Sequence, residues 1–426
     1  MPGSSLPLRF AAPAITTVVF AALYVLHGLG DDALYRSILL GWGVVPFEFP
    51  FLDTHYALSS LQCWHHGVDV YLTNPCDALG RTYAYSPALL WAQVFALGTS
   101  DTQIAGLIVD GLFLLSLFAL PPPRDAAHAV LMLFATLSTM TAFALERANL
   151  DALIFVLVVL AGVLLQRGLV PRLAAFAVIS IAALMKFYPA VLLIAALRER
   201  PRLFVAVSAA VAGALIVLAA LDHAELAMAF GNLPKRLYFQ SMFGAANLPY
   251  GLAELSPGRA PLPLLVAAVG ITFSFAIWLA SRSALDRAWA SLDNGEATFM
   301  LLGCALIVGC FFAGGSYGYR GIFLIFTLPG LLGLIRSADA APLRRFWSVV
   351  LLLVIFLMWG EFFRLAMLRS GASPSANFVF WLGRELIWWW VIGVLGALVI
   401  RFAAESETTR ACARRLFPKL HFGSIE

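Results

Sequence analysis

Apolar stretches long enough to cross a bilayer recur from one end of this chain to the other, and no other feature limits its fold so tightly. A helix needs about 20 such residues, because ~30 Å of hydrocarbon is climbed at ~1.5 Å per residue. Suitable runs fall at 11–29, 101–120, 127–145, 148–165, 202–221, 261–281, 297–313, 316–335, 345–363 and 377–400. Two further stretches are ambiguous. Residues 171–197 are apolar apart from Lys186, Phe187, Tyr188 and Pro189, and 86–98 is apolar but short. Charge agrees with this reading, since 28 Lys+Arg and 24 Asp+Glu make up only 12% of 426 residues, about half the soluble-domain norm of ~25%. The sequence therefore predicts an all-α, polytopic transmembrane helical bundle of about 11–13 membrane segments. One membrane domain would span 1–402, with a cytoplasmic basic tail over 403–426. No polar stretch is long enough for a separate folded domain, and no basic stripe suggests nucleic acid.

Short loops rich in Lys and Arg tend to stay cytoplasmic. That places the tail inside, with Arg401, Arg410, Arg414, Arg415 and Lys419. Working back, the loops with Arg336, Arg344 and Arg345, with Arg282 and Arg287, and with Arg198, Arg200 and Arg202 are also inside. For Arg167 and Arg172 to join them, 171–197 must be a hairpin turning at Lys186–Pro189, where proline suits a break. For 30–84 to be outside, 86–98 must dip without crossing. The alternative keeps the same parity with 86–98 as a span and 171–197 as one long helix. In the first arrangement the unusual polar clusters share the extracytoplasmic face: the first loop 30–84 with its interfacial helices, Glu146–Asp151, Lys186–Pro189, the second large loop 222–260, and Gly314–Arg320. The other face carries only basic retention loops.

A connection as long as 30–84 is usually functional. Within it Asp53–His66 reads as an interfacial helix with Tyr56, Leu58, Leu61 and Trp64 on its apolar positions. Asp53 follows the apolar run Phe47–Leu52, so its carboxylate meets the membrane boundary partly desolvated, where it can serve as a general base. Arg147, Asn149 and Asp151, preceded by Glu146, interrupt about 40 apolar residues. Charge in a membrane segment must be paired or face a cavity, so these residues form either a Glu146/Arg147/Asp151 network at helix ends or a polar floor for a hydrophilic substrate. Lys186 has no acidic neighbour in sequence, and phosphate is its natural counter-ion. Gly314–Arg320 adds a flexible, aromatic, cationic turn. Lys235 and Arg236 read as snorkelling anchors, and Glu361 with Arg364 and Arg384 with Glu385 as structural pairs.

His55 and His66 would share a helix face but lie about 16 Å apart, too far for one ion. The five cysteines contain no C-x-x-C pair; Cys63 and Cys76 both fall in the first loop, where an oxidising compartment permits a disulfide without requiring one. No P-loop, Rossmann fingerprint, H-E-x-x-H or nucleophile elbow occurs in a usable context. A carboxylate, cations for a phosphate and a bundle that admits a lipid tail together suggest an enzyme acting on a lipid phosphate.

The segment Asp53 through Tyr56, then Gly67, Asp69, Tyr71 and Pro75, then Tyr83, Tyr85, Ser86 and Pro87 resembles the opening of glycosyltransferase family 87, polytopic GT-C enzymes that include polyprenol-phosphate-mannose-dependent α-mannosyltransferases. Arg147–Leu150 resembles that family's small-residue-plus-Asn turn, although Arg147 and Ala148 replace the usual Gly-x pair. Met185–Pro189 resembles its K-x-Y-P turn, and Tyr319–Leu324 its Y-R-x-x-F region. The likeness covers about 50–335; the last quarter matches only in hydropathy. It implies a GT-C-like bundle in the cell's inner (plasma) membrane, monomeric, with its active site on the periplasmic side. The donor would be a polyprenyl-phosphate sugar, a co-substrate, with no other cofactor and no metal; the acceptor would be a lipid or glycan. By that analogy Asp53 is the general base of an inverting displacement, Lys186 and Arg320 hold the donor phosphate, and Arg147 and Asn149 line the sugar pocket. Tyr56, Tyr188 and Tyr319 join the substrate-binding set through the same motifs.

The rival reading is a transporter or flippase of a lipid-linked sugar, which predicts a midplane site and often internal repeats; no convincing repeat is visible. A non-catalytic membrane scaffold would tolerate loss of Asp53 and Lys186.

Overall fold

The computed structural model describes residues 6–233, 239–255 and 260–416. It is a helical bundle. Among the described residues, eight helices are long and apolar enough to span a membrane: Leu8–Gly28, Thr99–Ala119, Pro201–Leu221, Pro261–Ala280, Asn294–Ala313, Gly318–Ser337, Ala341–Met358 and Pro374–Glu405. A ninth results if the bent pair Ala126–Thr136 and Thr139–Arg147 counts as one span. Leu150–Leu165, Leu169–Met185 and Tyr188–Arg198 are apolar but shorter. The chain is thus a multi-pass membrane protein by length and composition. Lys235, Arg236 and Lys419 lie outside the described residues.

Burial sorts the spans. Gly318–Ser337 and Asn294–Ala313 are 89% and 72% buried within the bundle, whereas Pro201–Leu221 and Pro261–Ala280 are only 11% and 17% buried and turn apolar side chains outward. A bilayer, being as apolar as these side chains, leaves close packing to hold the central helices. Phe155 stacks on Phe326 at 4.2 Å, and a Cβ on Gly330 would lie 2.5 Å from the Met300 sulfur.

Two expected spans are interrupted, 127–145 and 345–363, and 171–197 breaks near Lys186, where the first arrangement places a turn. Residues 127–145 bend by 45°, because Ser138 Oγ accepts from the Thr141 amide and starts a second helix. Trp42 satisfies the opened backbone there, donating Nε1–H to the Leu137 carbonyl at 2.7 Å and accepting from Thr139 Oγ1 at its own carbonyl at 3.0 Å. The stretch 171–197 splits into Leu169–Met185 and a 3-10 helix, Tyr188–Arg198, which pack against each other. Extended backbone at Lys186 makes the break, and Tyr188 and Pro189 open the 3-10 helix that follows, proline being tolerated in a first helical turn. The stretch 345–363 divides into Ala341–Met358 and Gly360–Arg369. Residues Pro87–Phe95 form a 3-10 helix that rises about 18 Å at ~2.0 Å per residue, well short of the hydrocarbon thickness.

The first long loop is folded rather than loose. Its helices are Asp32–Gly41 and Leu52–His65. Tyr56, Leu58, Leu61, Val70, Tyr71 and Tyr83 form a second hydrophobic cluster separate from the main core. A disulfide joins Cys63 to Cys76. Among the described residues the strand structure is a two-residue antiparallel pair, Met242–Phe243 with Ser316–Tyr317, which sets the start of the turn leading to Arg320.

Candidate active site

Two unusual backbone conformations hold Asp53. Phe51 and Ala148 are non-glycine residues at φ 67° and 42°, a region that costs an L-residue about 1–2 kcal/mol. Strain of this kind persists only where surrounding contacts over-determine it. Here the Phe51 amide donates to the Glu146 carbonyl at 2.7 Å, and Thr54 Oγ1 donates to the Ala148 carbonyl at 2.7 Å. The fully buried Phe51 ring occupies space that a Cβ on Gly106 would invade at 2.3 Å. The start of helix Leu52–His65 is thereby stitched to the 146–149 turn.

Asp53 sits in the first turn of that helix, where backbone N–H groups favour a negative charge. Its carboxylate is 12% exposed and has two donors: Asn149 Nδ2–H reaches Oδ2 at 2.6 Å, and Arg81 Nη1–H reaches Oδ1 at 3.4 Å. Asn149 also caps helix Leu150–Leu165, its Oδ1 accepting from the Asp151 amide at 2.8 Å.

Arg81 is fixed on its other side by Asp77. Nε and Nη2 each donate to that carboxylate at 2.9 Å, and the guanidinium lies over the Tyr56 ring at 4.5 Å. Burial pushes the Asp77 carboxyl up, but hydrogen bonds from the Arg81 side chain and amide outweigh it and hold Asp77 below the usual carboxylate range. The same contacts outweigh burial at Arg81 and raise its already high value.

The second constellation centres on Asp151, which is fully buried. Lys186 Nζ and Tyr188 OH each donate to Oδ1 at 2.6 Å, and Arg320 Nε stands 3.5 Å from Oδ2. Lys186 also lies 5.1 Å from the centre of the Tyr85 ring, and Arg320 lies over Tyr188 at 4.8 Å. Lys186 is therefore paired, across 35 residues, with a carboxylate that sequence proximity does not reveal. The expected Glu146/Arg147/Asp151 network divides accordingly: Arg147 pairs with Glu146 at 2.9 Å, and Asp151 serves Lys186 and Arg320. The two anticipated pairs near the C-terminus merge, since Glu361 meets both Arg364 and Arg384, and Arg384 also meets Glu385.

Two cavities meet at Asp53. The first, about 450 Å³, is lined by Asp53, Tyr56, Tyr85, Lys186, Tyr188 and Arg320, and at one side by the apolar Phe187, Phe230 and Leu233. The second, about 370 Å³, is lined by Phe47, Phe143, Arg147, Gln240, Glu361 and Arg364. Asp53, Arg81, Tyr317 and Tyr319 line both. Both volumes fall in the ~300–1,000 Å³ range of small-molecule sites. Of the residues expected at the site, Asp53 and Tyr319 stand at the junction, Tyr56, Lys186, Tyr188 and Arg320 in the first cavity, Arg147 in the second, and Asn149 behind Asp53. Arg81 was not expected there, and Asp151, read as part of either a helix-end network or a polar floor, stands against Lys186 and Arg320. The spacing of Asp77 and Arg81 was the available signal for the first; Asp151 reads as a helix-end charge until the break at Lys186 is placed beside it. Among the described residues no group of three or more His, Cys, Asp and Glu is arranged to hold a metal ion. Comparison with protein-family models, with curated proteins and with solved structures finds no match to this chain.

Proposed function

We propose that this protein is a GT-C-like integral-membrane glycosyltransferase. It moves a hexosyl group, mannose by the resemblance described above, from a polyprenyl-phosphate sugar to a lipid or glycan acceptor on the extracytoplasmic face of the inner membrane. The observation that carries this reading is the position of Asp53 in the shared wall of two cavities, one of which has a cationic end. In that first cavity Lys186 and Arg320 present two positive charges against the single carboxylate of Asp151. A phosphate offsets the remaining charge, and charge-assisted contacts of this kind strengthen as a leaving group becomes more anionic. Phe187, Phe230 and Leu233 offer the apolar side that a polyprenyl tail needs.

The step is a single displacement. Asp53 takes the proton of an acceptor hydroxyl, the freed oxygen bonds to the anomeric carbon, and the bond from that carbon to the phosphate oxygen breaks. Its electron pair leaves with the phosphate, held by Lys186 and Arg320, and the anomeric configuration inverts. Asn149 and Arg81 orient the base, while Tyr56, Tyr188 and Tyr319 shape the walls around the sugar. The test is transfer by purified protein in nanodiscs from radiolabelled polyprenyl-phosphate mannose to a crude lipid and glycan pool. Label appearing in an acceptor supports the reading. Label that moves between leaflets of a proteoliposome without chemical transfer identifies a flippase instead.

A further inference from the structure

The second cavity differs from the first in how its charges are spent. Among the described residues three cations border it, and each faces a carboxylate: Arg81 on Asp77, Arg147 on Glu146 and Arg364 on Glu361, at 2.9, 2.9 and 2.7 Å. Glu361 is further matched by Arg384. An anionic ligand would have to pull a guanidinium from a partly buried pair, leaving a carboxylate behind at a cost of several kcal/mol. A neutral ligand has no such conflict. It meets N–H groups, carboxylate oxygens and the Gln240 amide as hydrogen-bond partners, and the faces of Phe143, Tyr317 and Tyr319 as apolar walls. Phe143 stands edge-on to Tyr317 at 6.2 Å and tilted to Tyr319 at 5.4 Å, so the three rings form one aromatic corner beside Asp53. Polar groups around the rim of a ring with aromatic surface against its C–H face is the chemistry of sugar recognition.

We infer that the second cavity binds an uncharged saccharide, and that the acceptor hydroxyl reaching Asp53 belongs to a neutral sugar ring rather than to a phosphorylated or otherwise anionic headgroup. The inference builds on the proposed transferase reading in treating the cavity as the acceptor side, but binding there is measurable without any transfer. Recognition then rests on Phe143, Gln240 and Glu361, with Leu365 at the cavity wall.

The experiment is saturation-transfer NMR on the full chain in nanodiscs, with no donor added. The probes are methyl α-mannopyranoside, methyl α-glucopyranoside and mannose 6-phosphate. At least one neutral hexoside should receive saturation and the phosphorylated sugar at least tenfold less. Leu365→Trp, which fills the cavity, and Phe143→Leu should each cut the hexoside signal at least tenfold, whereas Ala313→Trp, which narrows the first cavity instead, should leave it. Thermal unfolding of each variant separates lost binding from lost fold. Preference for the phosphorylated sugar, no binding by either hexoside, or a hexoside signal lost in Ala313→Trp but kept in Leu365→Trp overturns the inference. Hexoside binding with the expected variant pattern but no transfer in the donor assay leaves the neutral-saccharide site standing and removes the transferase reading together with the acceptor role. Transfer to an anionic headgroup does the reverse.

Discussion

Lys186 Nζ stands 2.6 Å from Asp151 Oδ1, where the chain breaks between Leu169–Met185 and Tyr188–Arg198. A lone cation in an apolar sequence is thereby neutralised by a carboxylate at the start of another helix, and both remain beside a cavity large enough for a substrate. Asp151→Asn leaves Lys186 and Arg320 as buried cations without their counter-ion, and breaking such a pair destabilises by about 3–5 kcal/mol. Thermal unfolding in detergent should fall accordingly, and Asp151→Asn combined with Lys186→Met should recover much of the loss. An unchanged midpoint in the single variant would show that the cluster is solvated instead.

The Cys63–Cys76 disulfide closes a loop with a sequence separation of 13, for which chain entropy gives about 3 kcal/mol. Replacing both cysteines with alanine should speed amide exchange in the Tyr56–Tyr83 cluster by about a hundredfold, with exchange in Asn294–Ala313 unchanged. Equal exchange in the cluster would mean that its aromatic packing alone holds the loop.

Ala148 pays for its left-handed backbone without the freedom of glycine. Ala148→Gly removes a penalty of about 1–2 kcal/mol and adds about 0.5–1 kcal/mol of unfolded-state entropy. A net stabilisation of about 0.5 kcal/mol is expected, with the Thr54 hydrogen bond to the same carbonyl kept, and a thermal shift measures it. A drop in stability would show that the turn is not strained.

Asp77 gives the loop an acid sensitivity of known sign. Its carboxyl is held below the usual range by Arg81, so its contribution is fully present above the unfolded value of about 3.9 and is lost as pH falls through the lower folded value. Hydrogen exchange around 77–85 should therefore accelerate below about pH 4, and Arg81→Gln should already exchange fast at neutral pH. Loosening with rising pH instead would contradict the assignment.

Part of this arrangement is legible in the sequence alone. Asp53 stood out because a carboxylate follows an apolar run, and Lys186 because a cation interrupts one; both reach the same cavity. The apolar runs 202–221 and 261–281 match the helices Pro201–Leu221 and Pro261–Ala280 closely. The partners are not legible. Asp151 with Lys186 and Asn149 with Asp53 are separated by 35 and 96 residues, and hydropathy carries no information about which helix ends meet. Ser138 caps the second half of the bent span, a break that the continuous apolar run 127–145 does not reveal. Arg81 reads as one more loop charge because its role depends on the fold of 30–84, which the second hydrophobic cluster and the Cys63–Cys76 disulfide create.

The most direct test of the account compares wild type with Asp53→Asn, purified in nanodiscs and matched for thermal stability, for sugar transfer from polyprenyl-phosphate mannose. The substitution keeps the shape of the side chain and removes its capacity to take a proton. Transfer by wild type, reduced at least a thousandfold in Asp53→Asn, is the predicted result. Equal transfer by the two proteins would remove Asp53 from the mechanism and with it the central claim.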